Sequence, residues 1–312
     1  MAVSSALSPQ VLSLQGPFEH VFVHTRGVRI HCVSAGQQSD PCVLLIHDGG
    51  GCWADFRRVL QPLARAGFHA VAVDVRGAGM SDKPPSEYGL RFLAGDMSGV
   101  IRQMGHDAAI VCGAGTGAAV AWALAVGYPQ CVKALVSVAG GYPADVRSAA
   151  LRSPVFAVAP AFRAAAIAFP SVLKWWAKRN PVACSRWWLR AATGPDCDVS
   201  ALACGVSDAQ VREWVLRIDA VDNTVAALAR YLRVSWAPAP SKWANVRVGV
   251  PVSMVVPDER GGFWRLLAKK ATARCAGGVG VRVVSFPQCG RSPHMEQPDN
   301  FVQLIAQALS TD

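Results

Sequence analysis

The chain is poor in charge, and poorer in acid than in base. Only 17% of its 312 residues are charged, and 21 Asp and Glu face 31 Lys and Arg, for a formal net charge of +10. So few charges beside 52% hydrophobic residues exclude a disordered chain, which needs the opposite balance to stay unfolded. Long apolar runs are missing too. A bilayer span needs about twenty residues free of charge, and the nearest stretch, 155–173, carries Arg163, Pro160 and Pro170. No transmembrane span is expected. The opening residues MAVSSALSPQ lack the basic-then-apolar order of a secretory signal, so the cytoplasm is the expected compartment, with import into an organelle by an atypical signal left open. None of the ten cysteines forms a CxxC pair, and Cys42, Cys112 and Cys131 sit in apolar runs. They read as buried thiols in a reducing environment. Neither disulfides nor a metal site is expected, and no cofactor is implied. The basic excess comes with no basic run and no nucleic-acid motif. It reads as a solvated surface, open to an acidic partner.

What is present is an alternation. Short apolar runs at 21–24, 28–33, 43–47, 70–73, 108–112, 134–138, 252–256 and 281–286 predict strands. Amphipathic stretches at 53–66, 91–104, 116–127, 263–272 and 300–309 predict helices between and after them. Strand–helix alternation implies a mostly parallel sheet covered on both faces. The Thr25-Arg26-Gly27 turn between the first two runs predicts that the sheet begins with an antiparallel hairpin. From 142 to 245 the alternation stops. This region has no strand signal, carries seven of the ten tryptophans, and holds thirteen Lys and Arg against seven Asp and Glu. It reads as helices inserted between two strands, placed over the carboxyl edge of the sheet where open α/β folds bind ligands.

Several motifs then agree in order and spacing. Leu44-Leu45-Ile46-His47 is followed by Trp53. Asp74-Val75-Arg76-Gly77-Ala78-Gly79-Met80-Ser81-Asp82-Lys83-Pro84 forms a second block, with Asp96 and Met104-Gly105-His106 beyond it. Val111-Cys112-Gly113-Ala114-Gly115-Thr116-Gly117 and Pro293-His294-Met295-Glu296-Gln297-Pro298 complete the set. Together they resemble the α/β-hydrolase superfamily, in its epoxide hydrolase and haloalkane dehalogenase branch. The resemblance covers about 18–140 and 250–310. It implies an α/β-hydrolase fold, with a mostly parallel eight-stranded sheet flanked by helices and an inserted helical cap. The expected division is a core at 18–141 and 246–312, a cap or lid at 142–245, and an N-terminal extension at 1–17.

The resemblance also shows what is missing. Covalent hydrolysis on this fold places a nucleophile at the tip of a strained strand-to-helix turn, G-x-Nu-x-G. Here the tip is Gly115, between Gly113 and Gly117. Glycine cannot attack anything, and it relieves the backbone strain that any other residue would bear there. Rescue by Thr116 or Cys112 is disfavoured: the first position points away and lends its N–H to the oxyanion hole, and the second ends a buried strand. His294 matches the family's base. Its orienting acid is expected after 252–256, where alignment puts Arg260; Asp258 is weakly favoured over Glu259, both lying slightly early. In the oxyanion loop Gly49 matches the N–H donor, beside Thr116, while Asp48 replaces a glycine and brings a negative charge against any developing oxyanion. Pointing into a helix N-terminus, or pairing with an arginine such as Arg57, would neutralise it. Tyr231 resembles one of the cap tyrosines that protonate an opening epoxide ring; the second is missing unless Tyr142 serves. Thr116 stands where a dehalogenase carries tryptophan, which counts against dehalogenation. The expectation is a protein that has lost covalent hydrolysis, a pseudoenzyme with a degenerate triad. It would hold a small apolar ligand in a core–cap cleft, or dock an acidic protein or larger assembly through the basic cap. The alternative is an epoxide hydrolase-like or nucleophile-independent enzyme that uses His294 as general base.

Overall fold

A computed structural model describes residues 7–152, 179–200, 202–218, 230–231, 233–234, 236, 238, 240–257 and 261–308. Strand β1 (Glu19–Thr25) turns through Arg26 and Gly27, at φ +49° and +77°, into β2 (Val28–Ala35), and the two pair antiparallel as expected. β3 (Cys42–Ile46), β4 (His69–Val73), β5 (Ala109–Ala114), β6 (Val132–Val138), β9 (Val252–Pro257) and β10 (Val281–Phe286) complete the sheet. Its order is β1-β2-β4-β3-β5-β6-β9-β10, and every pairing from β4 through β3 onward is parallel. The central strands β3, β4 and β5 are buried along their whole length. That is why they read as continuous apolar runs rather than alternating ones.

The crossovers are helical. They include α1 (Arg57–Arg65), α2 (Leu90–Gln103) and α3 (Thr116–Gly127), and after the later strands α7 (Gly261–Arg274) and α9 (Pro298–Ala306). The first predicted helix, 53–66, divides into a 3-10 turn at Trp53–Phe56 and then α1. α3 is apolar all round and is buried from Thr116 to Val126, as a helix is when neighbours cover every face.

Between β6 and β9 lie α4 (Pro143–Arg152), α5 (Pro181–Arg190) and α6 (Asp208–Ile218). One expectation fails here. β7 (Leu202–Ala203) and β8 (Val206–Ser207) form a small antiparallel hairpin in a region read as strand-free. Its turn residues Cys204 and Gly205 both have positive φ, +54° and +75°. Two residues per strand are too few to leave a periodic signal. α6 is tied to the sheet side by buried ion pairs: Arg57 to Asp208 at 2.5 Å, Arg58 to Asp208 at 2.8 Å, and Arg212 to Asp55 at 3.1 Å. Arg57 therefore binds Asp208 and Ala203 and Val206 carbonyls. Among the described residues no helix is long and apolar enough to cross a membrane.

The loop after β4 is organised around Asp74, which is fully buried. Its carboxylate accepts from His31 Nδ1 (2.8 Å), Trp53 N–H (2.8 Å) and Met80 N–H (3.0 Å). Gly79 packs so tightly on the carboxylate that a Cβ there would collide with it. Burial alone would raise the Asp74 pKa, but the hydrogen bond and charge of His31 outweigh it, and the group sits below its ordinary value. Alongside, Arg76 grips Asp96 through Nε (2.5 Å) and Nη2 (2.7 Å). Asp74→Ala orphans two buried N–H groups and a histidine. A stability loss of at least about 3 kcal/mol is expected from broken buried polar networks, read as a drop in the urea midpoint; a loss under about 1 kcal/mol would show that the loop is held elsewhere.

Candidate active site

The turn from β5 into α3 is a crowded strand-to-helix bend. A Cβ on Gly113 would strike the Gly117 carbonyl, and one on Gly117 would strike the Ile46 carbonyl, so both outer positions admit only glycine. Gly115, at the tip, has φ +52° and ψ −110°, a conformation open to glycine and strained for any L side chain. Its N–H is held by the Val138 carbonyl at 2.8 Å.

The space beside Gly115 is taken. A Cβ built on it would fall among Cγ, Oδ1 and Oδ2 of Asp48, well inside contact distance. Asp48 Oδ1 accepts the backbone N–H groups of Gly49 and Thr116, each at 2.7 Å. These are the two donors the sequence assigned to the oxyanion hole. The side chain at 48 thus fills the volume that a residue at 115 would need and engages both donors itself. Its backbone is fixed as well. The Asp48 carbonyl accepts from His47 Nδ1 (2.7 Å) and Gly51 N–H (3.0 Å), while His47 Nε2 accepts the Val75 N–H (3.2 Å). Sequence reasoning expected Asp48 to repel an oxyanion. The structure adds that it occupies the donors outright, which no linear motif announces, since residues 48 and 115 are 67 positions apart.

His294 lies in a short helix, α8 (Pro293–Glu296), between the rings of Phe56 and Phe301 at 4.6 and 5.8 Å between centroids. Its Nδ1 is buried without a hydrogen-bond partner among the described residues. Burial lowers its pKa to about 4; Asp55 and Asp48 pull the other way without offsetting it. The imidazole is therefore neutral at neutral pH. Asp258, Glu259 and Arg260 lie outside the described residues. Glu296 braces the loop by accepting from Gly194 N–H (2.8 Å) and Gly290 N–H (3.1 Å).

Tyr231 is buried and donates its hydroxyl to the His47 carbonyl at 2.6 Å, with its ring edge-on to the His47 imidazole. Burial, then the charges of Asp48 and Asp55, push the phenol well above its ordinary pKa. Its proton is engaged behind the Asp48 loop. Tyr142 donates to the Trp243 carbonyl at 3.4 Å. Cys112 is buried in β5, where loss of water raises its thiol pKa far out of the nucleophilic range. The cavity at the bend is lined by Asp48, Gly115, Trp188, Arg212, Arg291 and His294 among others, and measures about 10 Å³, room for about one water. The structure thus brings Asp48, Gly49, Gly115, Thr116 and His294 together at one point and turns the Tyr231 hydroxyl aside.

A family model described as the alpha/beta hydrolase fold matches residues 41–192. Over 119 residues the chain is 35% identical to AB hydrolase superfamily protein YfhM of Bacillus subtilis (strain 168), covering 38% of this chain and 42% of that protein. Over 121 residues it is 37% identical to Epoxide hydrolase 2 of Siraitia grosvenorii, covering 38% of each. The matches thus span about two fifths of the length of these curated relatives. In three dimensions the chain is similar to Epoxide Hydrolase A from Mycobacterium thermoresistibile, with a TM-score of 0.69 at 21% identity, covering 94% of this chain and 98% of that one.

Because the His294 pKa is depressed from 6.5 to about 4 in the folded state, the unfolded chain binds its proton first as pH falls. Its contribution is intact above pH 6.5 and is lost between 6.5 and 4. Parent and His294→Leu, compared by denaturant melts across that window, should diverge in slope by about 3 kcal/mol in total. Parallel curves would show that His294 is not held neutral.

Proposed function

The chain belongs to the α/β-hydrolase superfamily, in its epoxide hydrolase-like branch, and from that premise we propose that it has lost hydrolysis through residue 115 and keeps the cleft as a binding site for a small apolar ligand. One observation carries the reading: the Asp48 carboxylate occupies both the place of the missing side chain and the two N–H donors that an acyl substrate would need. A hydrolase of this type without its nucleophile loses roughly 10⁶-fold in turnover. An internal anion on the oxyanion donors removes the main remaining source of transition-state stabilisation. His294, with a pKa of about 4, is also a weak base at neutral pH.

In this reading residues 18–141 and 246–312 form the core, 142–245 the cap, and 1–17 an extension. Pairs such as Arg212–Asp55 hold α6 of the cap against the Asp48 loop. The basic residues of the cap suit an acidic protein partner or a larger assembly, which supports the description of a pseudoenzyme with a degenerate triad. The second reading is turnover by His294 as general base in an epoxide hydrolase-like enzyme. The specific observation in its favour is that His294 and a carboxylate, Asp48, share one cavity.

A fluorophosphonate probe, which reports an activated serine-type nucleophile, should leave the purified protein unlabelled. Incubation with styrene oxide should give less than about 1% of the diol that an active epoxide hydrolase of this branch forms under the same conditions. Labelling, or diol at enzymatic rates that His294→Leu abolishes, would overturn the reading.

A further inference from the structure

The helix that roofs the cleft has two unlike faces. On its inner side α5 buries Cys184, Ser185, Trp188 and Leu189. Trp188 lines the cavity beside Asp48, and a Cβ on Gly50 would lie 3.0 Å from its ring. A helix side that met only water would be polar. The outer side of α5 instead carries Val182, 46% exposed, Trp187, 36% exposed, and Ala183, together with Arg186 and Arg190. Steps of four residues, 182–186–190 and 183–187, put these five side chains on one stripe. Arg179, just ahead of the helix, is exposed as well. Neither Arg186 nor Arg190 pairs with a carboxylate among the described residues.

The sequence around α5 carries one sign of charge. Over residues 146–195 there are eight Lys and Arg and four Trp, and no Asp or Glu. Residues 153–178 of that stretch lie outside the described residues and contribute only their composition. Acid resumes at Asp196 and Asp198, beyond the helix. Surfaces that meet only water mix both signs. A protein partner sets its carboxylates at particular points and tolerates acid on the face between them. A bilayer rich in anionic lipid is negative everywhere, so any carboxylate within a Debye length is repelled. It also accepts indole and aliphatic groups at the headgroup level, where arginines reach the phosphates.

We propose that the outer face of α5 docks on the surface of an anionic membrane, with Arg186 and Arg190 on lipid phosphates and Trp187 and Val182 among the headgroups. The contact is peripheral, and the combination of apolar side chains with cations favours a bilayer over an acidic protein. The cleft then lies directly behind the docked face. Trp187 meets lipid, and its neighbour Trp188, edge-on at 6.2 Å between ring centroids, meets the loop that carries Asp48. Docking by this face is independent of what the cleft holds.

The test is sedimentation of the full chain with vesicles. Binding to phosphatidylcholine vesicles with about one third phosphatidylserine should exceed binding to phosphatidylcholine alone by at least about tenfold, and should fall steeply between about 0.05 and 0.5 M salt. Arg186→Gln combined with Arg190→Gln should weaken it by at least about tenfold. Trp187→Ala should weaken it severalfold and leave the salt dependence unchanged. Arg265→Gln combined with Lys269→Gln removes the same charge from exposed positions on the core helix α7 and should leave binding within about twofold. Circular dichroism checks that each variant is folded. An equal loss in the two double variants would assign binding to net charge alone and overturn the proposal. So would equal binding to both kinds of vesicle, or sedimentation with neither. Soluble polyglutamate that binds through Arg186 and Arg190 where vesicles do not would assign the face to an acidic protein, which also overturns it.

Discussion

A carboxylate and a hydrogen atom share one position at the strand-to-helix bend, and the arrangement of the cleft depends on that exchange. Gly115 offers only hydrogen at the tip, and Asp48 enters the vacated volume from the neighbouring loop. Neither residue tolerates the ordinary occupant of the other place. A side chain at 115 would collide with Asp48, and a glycine at 48 would leave the Gly49 and Thr116 N–H groups without their present acceptor. The Thr116 N–H at the start of α3, joined by the Gly49 N–H from the loop after β3, makes a favourable place for an anion, since helix N-termini attract negative charge.

The surroundings reinforce this state. His47 clamps the Asp48 carbonyl, Tyr231 closes the His47 carbonyl from behind, and Arg212 ties α6 to Asp55 on the same loop. Asp74 fixes the next loop through Trp53 and Met80. The bend is thus held from several sides, while His294, which lines the same cavity, is neutral and lacks a partner on Nδ1 among the described residues. Donors already engaged by an internal anion are not available to a charge that develops during a reaction.

Much of this was legible in the chain. The alternation of apolar runs gave the parallel sheet, and the Thr25-Arg26-Gly27 turn gave its antiparallel start. Gly113, Gly115 and Gly117 marked the bend, because crowding there leaves no room for Cβ. Asp48 was singled out for its charge, but its reach to residue 115 is a tertiary fact, set by the parallel register of β3 and β5 that brings Ile46 beside Gly113. The hairpin at Leu202–Ser207 escaped because its two-residue strands are too short to repeat the strand's period of two. Of the two partners offered for Asp48, a helix N-terminus and Arg57, the first is the one it meets, through the Thr116 N–H that opens α3; Arg57 pairs with Asp208, supplied by an element whose position the sequence did not place.

The central claim is that positions 48 and 115 form one energetic unit. A double-mutant cycle in urea with Gly115→Ala and Asp48→Gly measures it most directly, because the backbone strain at φ +52° enters both backgrounds and cancels. The account predicts that Gly115→Ala costs more in the parent than in the Asp48→Gly protein, with a coupling of about 1–3 kcal/mol. Additive costs, agreeing within about 0.5 kcal/mol, would contradict it.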